Sequence, residues 1–179
     1  LGVERERFRE FREWSEASIL GLNPLRSAEE TERMEWGSAK LTDYFTELMT
    51  ARRARPADDL ITDMVQLQAG GAPLSDDEVR VNLSALLIGG NLTTTDLIGN
   101  GVWLFLNHPD ELAKLKADPG LAAAAGEEIL RYESPVAITN RVMSEERTVG
   151  GCPMHAHQSV ITSLHAANRD PEVFEDPDR

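Results

Sequence analysis

Leu87-Ile88-Gly89-Gly90-Asn91-Leu92-Thr93-Thr94-Thr95 stands at the middle of the stretch 75–106, apolar from residue 81 on, and its reading decides the fold. Between Val81 and Leu106 the only ionisable residue is Asp96, which predicts a long helix buried on all sides. Two adjacent glycines and three β-branched threonines are poor helix formers, and each glycine costs about 1 kcal/mol relative to alanine at such a site. Two readings follow. Gly89 and Gly90 can open a groove in a helix wall, where a flat ligand lies against bare backbone and the Thr93 hydroxyl, one turn on, bonds a ligand or water. Alternatively, residues 81–88 end in a glycine C-cap, and Thr95 or Asp96 caps a second helix.

Upstream, Phe8, Phe11, Trp14 and Ile19 recur at helical spacing, with Arg9–Glu13 and Arg12–Glu16 as i,i+4 pairs on the wet side. Gly21 and Asn23-Pro24 close that helix. Ser27 with Glu30 forms a capping-box pattern, and Met34, Leu41, Tyr44, Phe45 and Leu48 continue an apolar face through about residue 55. Arg52, Arg53 and Arg55 read as a solvated helix end favoured by the helix dipole, or as a phosphate or partner site. Pro56 stops the helix, Leu60, Ile61, Met64 and Val65 mark a short one, and Gly70-Gly71-Ala72-Pro73 breaks the chain before a second capping box, Ser75 with Glu78.

Downstream, Asn107-His108-Pro109 ends the central helix, and a short helix runs to about Ala117. Asp118-Pro119-Gly120 turns the chain into an alanine-rich helix, residues 121–132. Ser134-Pro135 ends it. Period-two patterning in residues 136–139 and 159–162 then predicts short strands of one small sheet. The fold class is therefore mainly α with a small β-sheet near the C-terminal end. One domain accommodates it, divided as residues 1–73, 74–107, 108–132 and 133–179.

With 18 Lys+Arg against 31 Asp+Glu the 179-residue chain carries a net charge of -13, which repels nucleic acid and anionic membranes and points to a small molecule or protein partner. Its polar residues Asn82, Ser84, Asn91 and Asn100, with the threonines, argue against a transmembrane reading of residues 81–106, and no basic flank supports one. A single cysteine, Cys152, excludes an internal disulfide and fits a reducing compartment. Cys152, His155 and His157 form Cys-x-x-His-x-His, which reads as a polar turn or as part of a zinc or copper site with His165 the nearest fourth ligand. Glu128 and Arg131, three apart on one helix face, read as an ion pair.

Together these pieces resemble the cytochrome P-450 haem-thiolate monooxygenases, especially the soluble bacterial type. Residues 87–95 are similar to that family's central I-helix signature, (A/G)-G-x-(D/E)-T-T. Glu128-Ile129-Leu130-Arg131 is similar to its E-x-x-R on the K helix. Ala166-Ala167-Asn168-Arg169-Asp170-Pro171, followed by Asp176-Pro177-Asp178-Arg179, resembles the run into its meander.

The resemblance implies a partial cytochrome P-450 fold, with residues 3–20 and 28–55 as F and G helices over the substrate pocket. It implies haem, with dioxygen as co-substrate, and Gly89 and Gly90 lining the dioxygen groove. Thr93 takes the place of the threonine that hydrogen-bonds dioxygen and helps deliver protons, Arg141 that of a haem-propionate partner, and Glu128, Arg131 and Arg179 form a buried structural network. Leu92 stands where the family has an acid, and Asp96, on the same side at i+4, can substitute for it. His155 and His157 replace the Pro and Gly of a strand turn, which implies a distorted turn. The axial-cysteine loop, F-x-x-G-x-x-x-C-x-G, is absent. Around Cys152 the pattern meets Glu145, Thr148 and Met154, so no metal ligand is expected in this chain, which reads as a piece of a larger oxygenase. The implied partners are an apolar small-molecule substrate and a ferredoxin-type electron donor, in the cytoplasm. A haem-free helical interaction module of the same descent is the alternative.

Overall fold

The computed structural model describes residues 1–23 and 25–178, so the expectations that fall on Pro24 and Arg179 lie outside the described residues. The chain divides into two compact units, residues 1–92 and 93–179.

In the first unit, helix α1 (Phe8–Ser18) is flanked by short 3-10 turns, and α2 (Ala28–Ala54) begins at the expected capping box. The Glu30 amide donates to Ser27 Oγ (3.1 Å), and the Ser27 amide donates to the Glu30 carboxylate (2.6 Å). Helix α1 crosses α2 at Gly37, where an added Cβ would come 2.6 Å from the Ala17 side chain and 2.8 Å from the Trp14 carbonyl oxygen. Phe11, Trp14, Leu41, Tyr44, Phe45 and Met49 fill the space between them. Ile61 and Val65 of α3 (Leu60–Ala69) and Val79 and Leu83 complete that core. The Arg7 guanidinium lies over the rings of Tyr44 (4.9 Å) and Trp14 (5.2 Å), and Tyr44 donates to Glu4 (2.5 Å).

One expectation fails here and a second holds only in part, Arg53 and Arg55 being exposed. Arg9 lies over the Phe8 ring, 5.7 Å from its centroid, rather than bonding Glu13. The arginines that close α2 are not simply a solvated end: Arg52 bonds Asp59 (2.6 Å) and the Gly2 carbonyl (3.2 Å), while Arg53 bonds Asp76 (2.5 Å) and Gln68 (2.9 Å). The carboxylates sit at the starts of the next two helices, within reach of a guanidinium fork, and so capture cations that the dipole alone would leave in water.

Helix α4 (Asp76–Asn107) is unbroken through Gly89 and Gly90, which removes the two-helix reading. Its start is capped by Ser75, whose hydroxyl accepts from the Glu78 amide (3.2 Å). It is not buried on all sides. Val79, Leu83, Leu87, Gly101 and Leu104 are buried, whereas Val81, Ile98, Val102, Trp103 and Leu106 are exposed. Continuous apolar sequence makes a helix fit to be covered all round, and the described residues cover one face of it.

In the second unit, Pro109 occupies the first turn of α5 (Pro109–Ala117), where its missing N–H costs nothing, and α6 (Ala122–Tyr132) follows. In place of one small sheet there are two antiparallel pairs. Strand β1 (Ile138–Val142) pairs with β4 (Ser159–Ser163), and β2 (Arg147–Val149) with β3 (Cys152–Met154). Gly150 (φ 56°) and Gly151 (φ 83°) make the tight turn between β2 and β3. A short α7 (Leu164–Ala167) is capped by Ser163 Oγ.

Candidate active site

On the α-helical period Gly89, Thr93, Asp96 and Asn100 stand at i, i+4, i+7 and i+11 and share one flank of α4. Gly89, Gly90 and Asp96 are exposed, and Leu92 and Thr93 are half-buried. An added Cβ at Gly89 or Gly90 would meet nothing within 4 Å, while one at Gly101 would lie 2.9 Å from Ile129 Cδ1. Close packing therefore explains Gly101. At the other two a side chain would find open space.

Arg141 stands on β1 with an exposed side chain, and its guanidinium donates to the neighbouring Asn140 carbonyl (2.8 Å). Most of its donors face outward and suit an anionic, planar acceptor.

Glu128 and Arg131 form a bidentate pair, Nε to Oε2 at 2.8 Å and Nη2 to Oε1 at 2.7 Å. The Glu128 hydrogen bond holds the Arg131 guanidinium above its ordinary pKa. Arg131 also donates to the carbonyls of Asn168 (2.9 Å) and Pro177 (2.8 Å), which ties α6 to the C-terminal turns. The pair is not buried as expected: the Arg131 side chain is largely covered, 12% exposed, and that of Glu128 is 56% exposed. Nothing described covers the outer side of α6 there. Arg179, the third member expected, lies outside the described residues.

Cys152 is exposed in β3 and His155 sits 3.5 Å from Glu146. His165 is turned to the Ser134 carbonyl (3.2 Å), away from any ligand set with them. Among the described residues no three His, Cys, Asp or Glu side chains converge to hold a metal ion, and no helix is long and apolar enough to cross a membrane. His157, with φ 65°, is in the left-handed region that glycine adopts freely, so the turn holds an L residue in a glycine-type conformation.

Sequence reasoning missed a cluster at the end of α6, where Asn100, His165, Asn168 and Arg169 all point at backbone carbonyls. Ser134-Pro135 was the available signal, because a proline there leaves the helix end without its ordinary closing amide.

Known proteins are similar to this chain. The cytochrome P-450 family model matches residues 121–179. The chain is 41% identical to cytochrome P-450 107B1 and 36% identical to 6-deoxyerythronolide B hydroxylase, both of Saccharopolyspora erythraea, with 100% of this chain and 43% of each relative covered. Among solved structures, P-450 BioI in complex with an acyl carrier protein ligated with hexadec-9Z-enoic acid matches with 35% identity and a TM-score of 0.90, over 100% of this chain and 46% of that one. Mycobacterium smegmatis CYP164A2 with econazole bound matches with 33% identity and a TM-score of 0.92, over 100% and 46%. The chain thus spans less than half the length of these relatives. With similarity along the whole of this chain to part of such proteins, an unbroken glycine-bearing α4 and the Glu128–Arg131 pair on α6, the chain belongs to the cytochrome P-450 family.

Proposed function

We propose that, within its complete protein, this chain forms part of a haem-dependent monooxygenase that hydroxylates an apolar small molecule, using dioxygen and electrons from a ferredoxin-type donor in the cytoplasm. The observation that carries this reading is the pair Gly89-Gly90. It sits in an uninterrupted helix at a propensity cost of about 1 kcal/mol each, and a side chain at either would meet open space. A flat macrocycle laid against bare backbone recovers that cost, and two named hydroxylase and monooxygenase relatives point the same way.

Haem would supply the redox-active iron at which dioxygen is activated. Gly89 and Gly90 would leave room for the ring. Thr93, one turn on, presents a hydroxyl that can donate to dioxygen and accept from water. Arg141 offers a guanidinium whose fork matches a propionate. Glu128 and Arg131 hold α6 and the turns after it. The axial thiolate is expected from the Phe-x-x-Gly-x-x-x-Cys-x-Gly loop of the complete protein, because Cys152 lacks that pattern.

Leu92 cannot relay a proton. Asp96, on the Thr93 flank and exposed, is the nearest carboxylate along the helix and takes that role in this reading. Introducing Leu92→Asp in the complete protein is expected to change the fraction of reducing equivalents recovered in product several-fold. Unchanged coupling removes the altered relay.

The deciding experiment loads the complete protein with haem and records the reduced carbon monoxide difference spectrum. The long-wavelength band of thiolate-ligated haem supports the oxygenase. Bound haem without that band ends it, and failure to bind haem at all leaves the helical-module reading in its place.

A further inference from the structure

Helix α6 ends in a way that its own backbone cannot satisfy. The Glu133 amide closes on the Ile129 carbonyl (2.9 Å), but the second residue beyond that cap is Pro135, which has no N–H to donate back to the last turn. Side chains supply the donors instead. Asn168 Nδ2 donates to the Leu130 carbonyl (3.3 Å), Arg169 Nη2 to Tyr132 (2.9 Å), Asn100 Nδ2 to Glu133 (2.9 Å), and His165 Nε2, in the tautomer that carries its proton there, to Ser134 (3.2 Å). Three come from the segment after β4, and Asn100 alone comes from α4.

A second, independent contact stands beside Asn100. Gly101 is buried, and a Cβ there would lie 2.9 Å from Ile129 Cδ1. Adjacent residues of α4 are thus registered on α6 once by a hydrogen bond and once by close approach. Asn100 is two turns from Thr93, about 10 Å along the axis, on the same flank. A rotation of α4 that breaks the Asn100 bond swings Thr93 through the same angle.

We infer that Asn100 is a positioning residue: through the Glu133 carbonyl it fixes the rotational setting of α4, and so the direction of Thr93 and Asp96, against the end of α6 from which the Arg141 strand departs. Why that direction matters rests on the proposed function; the positioning itself does not.

Hydrogen exchange on the complete protein tests it with Asn100→Asp, which keeps the shape but turns a carboxylate oxygen toward the carbonyl. Amides of residues 93–100 and 130–137 are expected to exchange about fivefold faster or more, the effect of one buried bond lost, with the α1–α3 core unchanged. Equal exchange in those segments overturns the inference, and so does a uniform increase across the whole chain. Should Asn100→Asp not fold, Gly101→Ala is expected to loosen the same two segments and Gly101→Ala with Ile129→Val to restore them; no restoration also overturns it. In haem-loaded protein, Asn100→Asp is expected to keep the thiolate carbon monoxide band while product per reducing equivalent falls several-fold. A missing band in the parent protein counts against the oxygenase reading and leaves the exchange result standing.

Discussion

Glycine has opposite meanings at two places in this molecule, and one methyl group separates them. At Gly37 the nearest neighbours of an added Cβ include the Trp14 carbonyl at 2.8 Å, a backbone atom that cannot step aside. Gly37→Ala is therefore expected to lower stability by about 2–3 kcal/mol, as overpacking does, visible as a reduced denaturation midpoint. At Gly89 the same methyl meets nothing. Gly89→Ala is expected to stabilise the 179-residue chain by about 0.5–1 kcal/mol through helix propensity and, in the complete protein, to weaken haem loading. A chain that gained nothing from the alanine would show that the glycine already has a packing partner. His157 offers a third case: with φ 65° it pays the left-handed strain of an L residue. His157→Gly is expected to raise stability by about 0.5–1 kcal/mol, the strain relieved less the added unfolded-chain entropy, measured by chemical denaturation.

Elements are joined by ion pairs whose carboxylates are poised by their surroundings. At Asp59 burial raises the carboxyl pKa, but the Thr62 amide, the Arg52 guanidinium and the Thr62 hydroxyl together outweigh it and hold it below its ordinary value. Asp76 is lowered chiefly by its bond to Arg53, then by Gln68. A depressed folded pKa means that the unfolded chain takes up the proton first as pH falls. The stabilisation is therefore complete above the ordinary carboxyl pKa of about 4 and disappears as pH drops through the lower folded value. Thermal melts between about pH 6 and pH 2 are expected to show an acid loss that Arg52→Met flattens; an identical pH profile in the variant would detach Asp59 from acid stability. The joined elements themselves were legible in advance to different degrees. Helices α2 and α4 announced their starts through Ser27/Glu30 and Ser75/Glu78, because a capping box is a local exchange of bonds written in four residues. The β2–β3 hairpin did not show, since three-residue strands are too short for period two to register. Gly150-Gly151, both at positive φ, carried the turn signal for it. At the end of α6 Ser134-Pro135 signalled a missing closing amide, but not which side chains replace it. Asn100, His165, Asn168 and Arg169 are brought to one helix end by tertiary folding, and no spacing along the chain records it.

For the molecule as a whole, the central helix carries more apolar surface than these residues cover. Ile98, Val102, Trp103 and Leu106, at i, i+4, i+5 and i+8, lie on one side of α4 and are 64%, 56%, 57% and 73% exposed. The sequence pattern is that of a helix covered all round, the described residues cover one face of it, and the relatives are more than twice as long as the segment matched. A contiguous apolar face of this kind favours association, opposed by a net charge of -13. The 179-residue chain by itself is therefore expected to self-associate in sedimentation as concentration rises, more strongly in high salt where the repulsion is screened, and to bind an apolar dye. Trp103→Glu is expected to abolish most of both effects while shifting stability by no more than about 0.5 kcal/mol, as for other exposed positions. The complete protein is expected to show neither association nor dye binding, because its remaining residues cover this side of α4. A chain that stayed monomeric and dye-free in high salt would mean that the apolar side of α4 is closed by these residues alone, and the burial read from its sequence would then need no further chain.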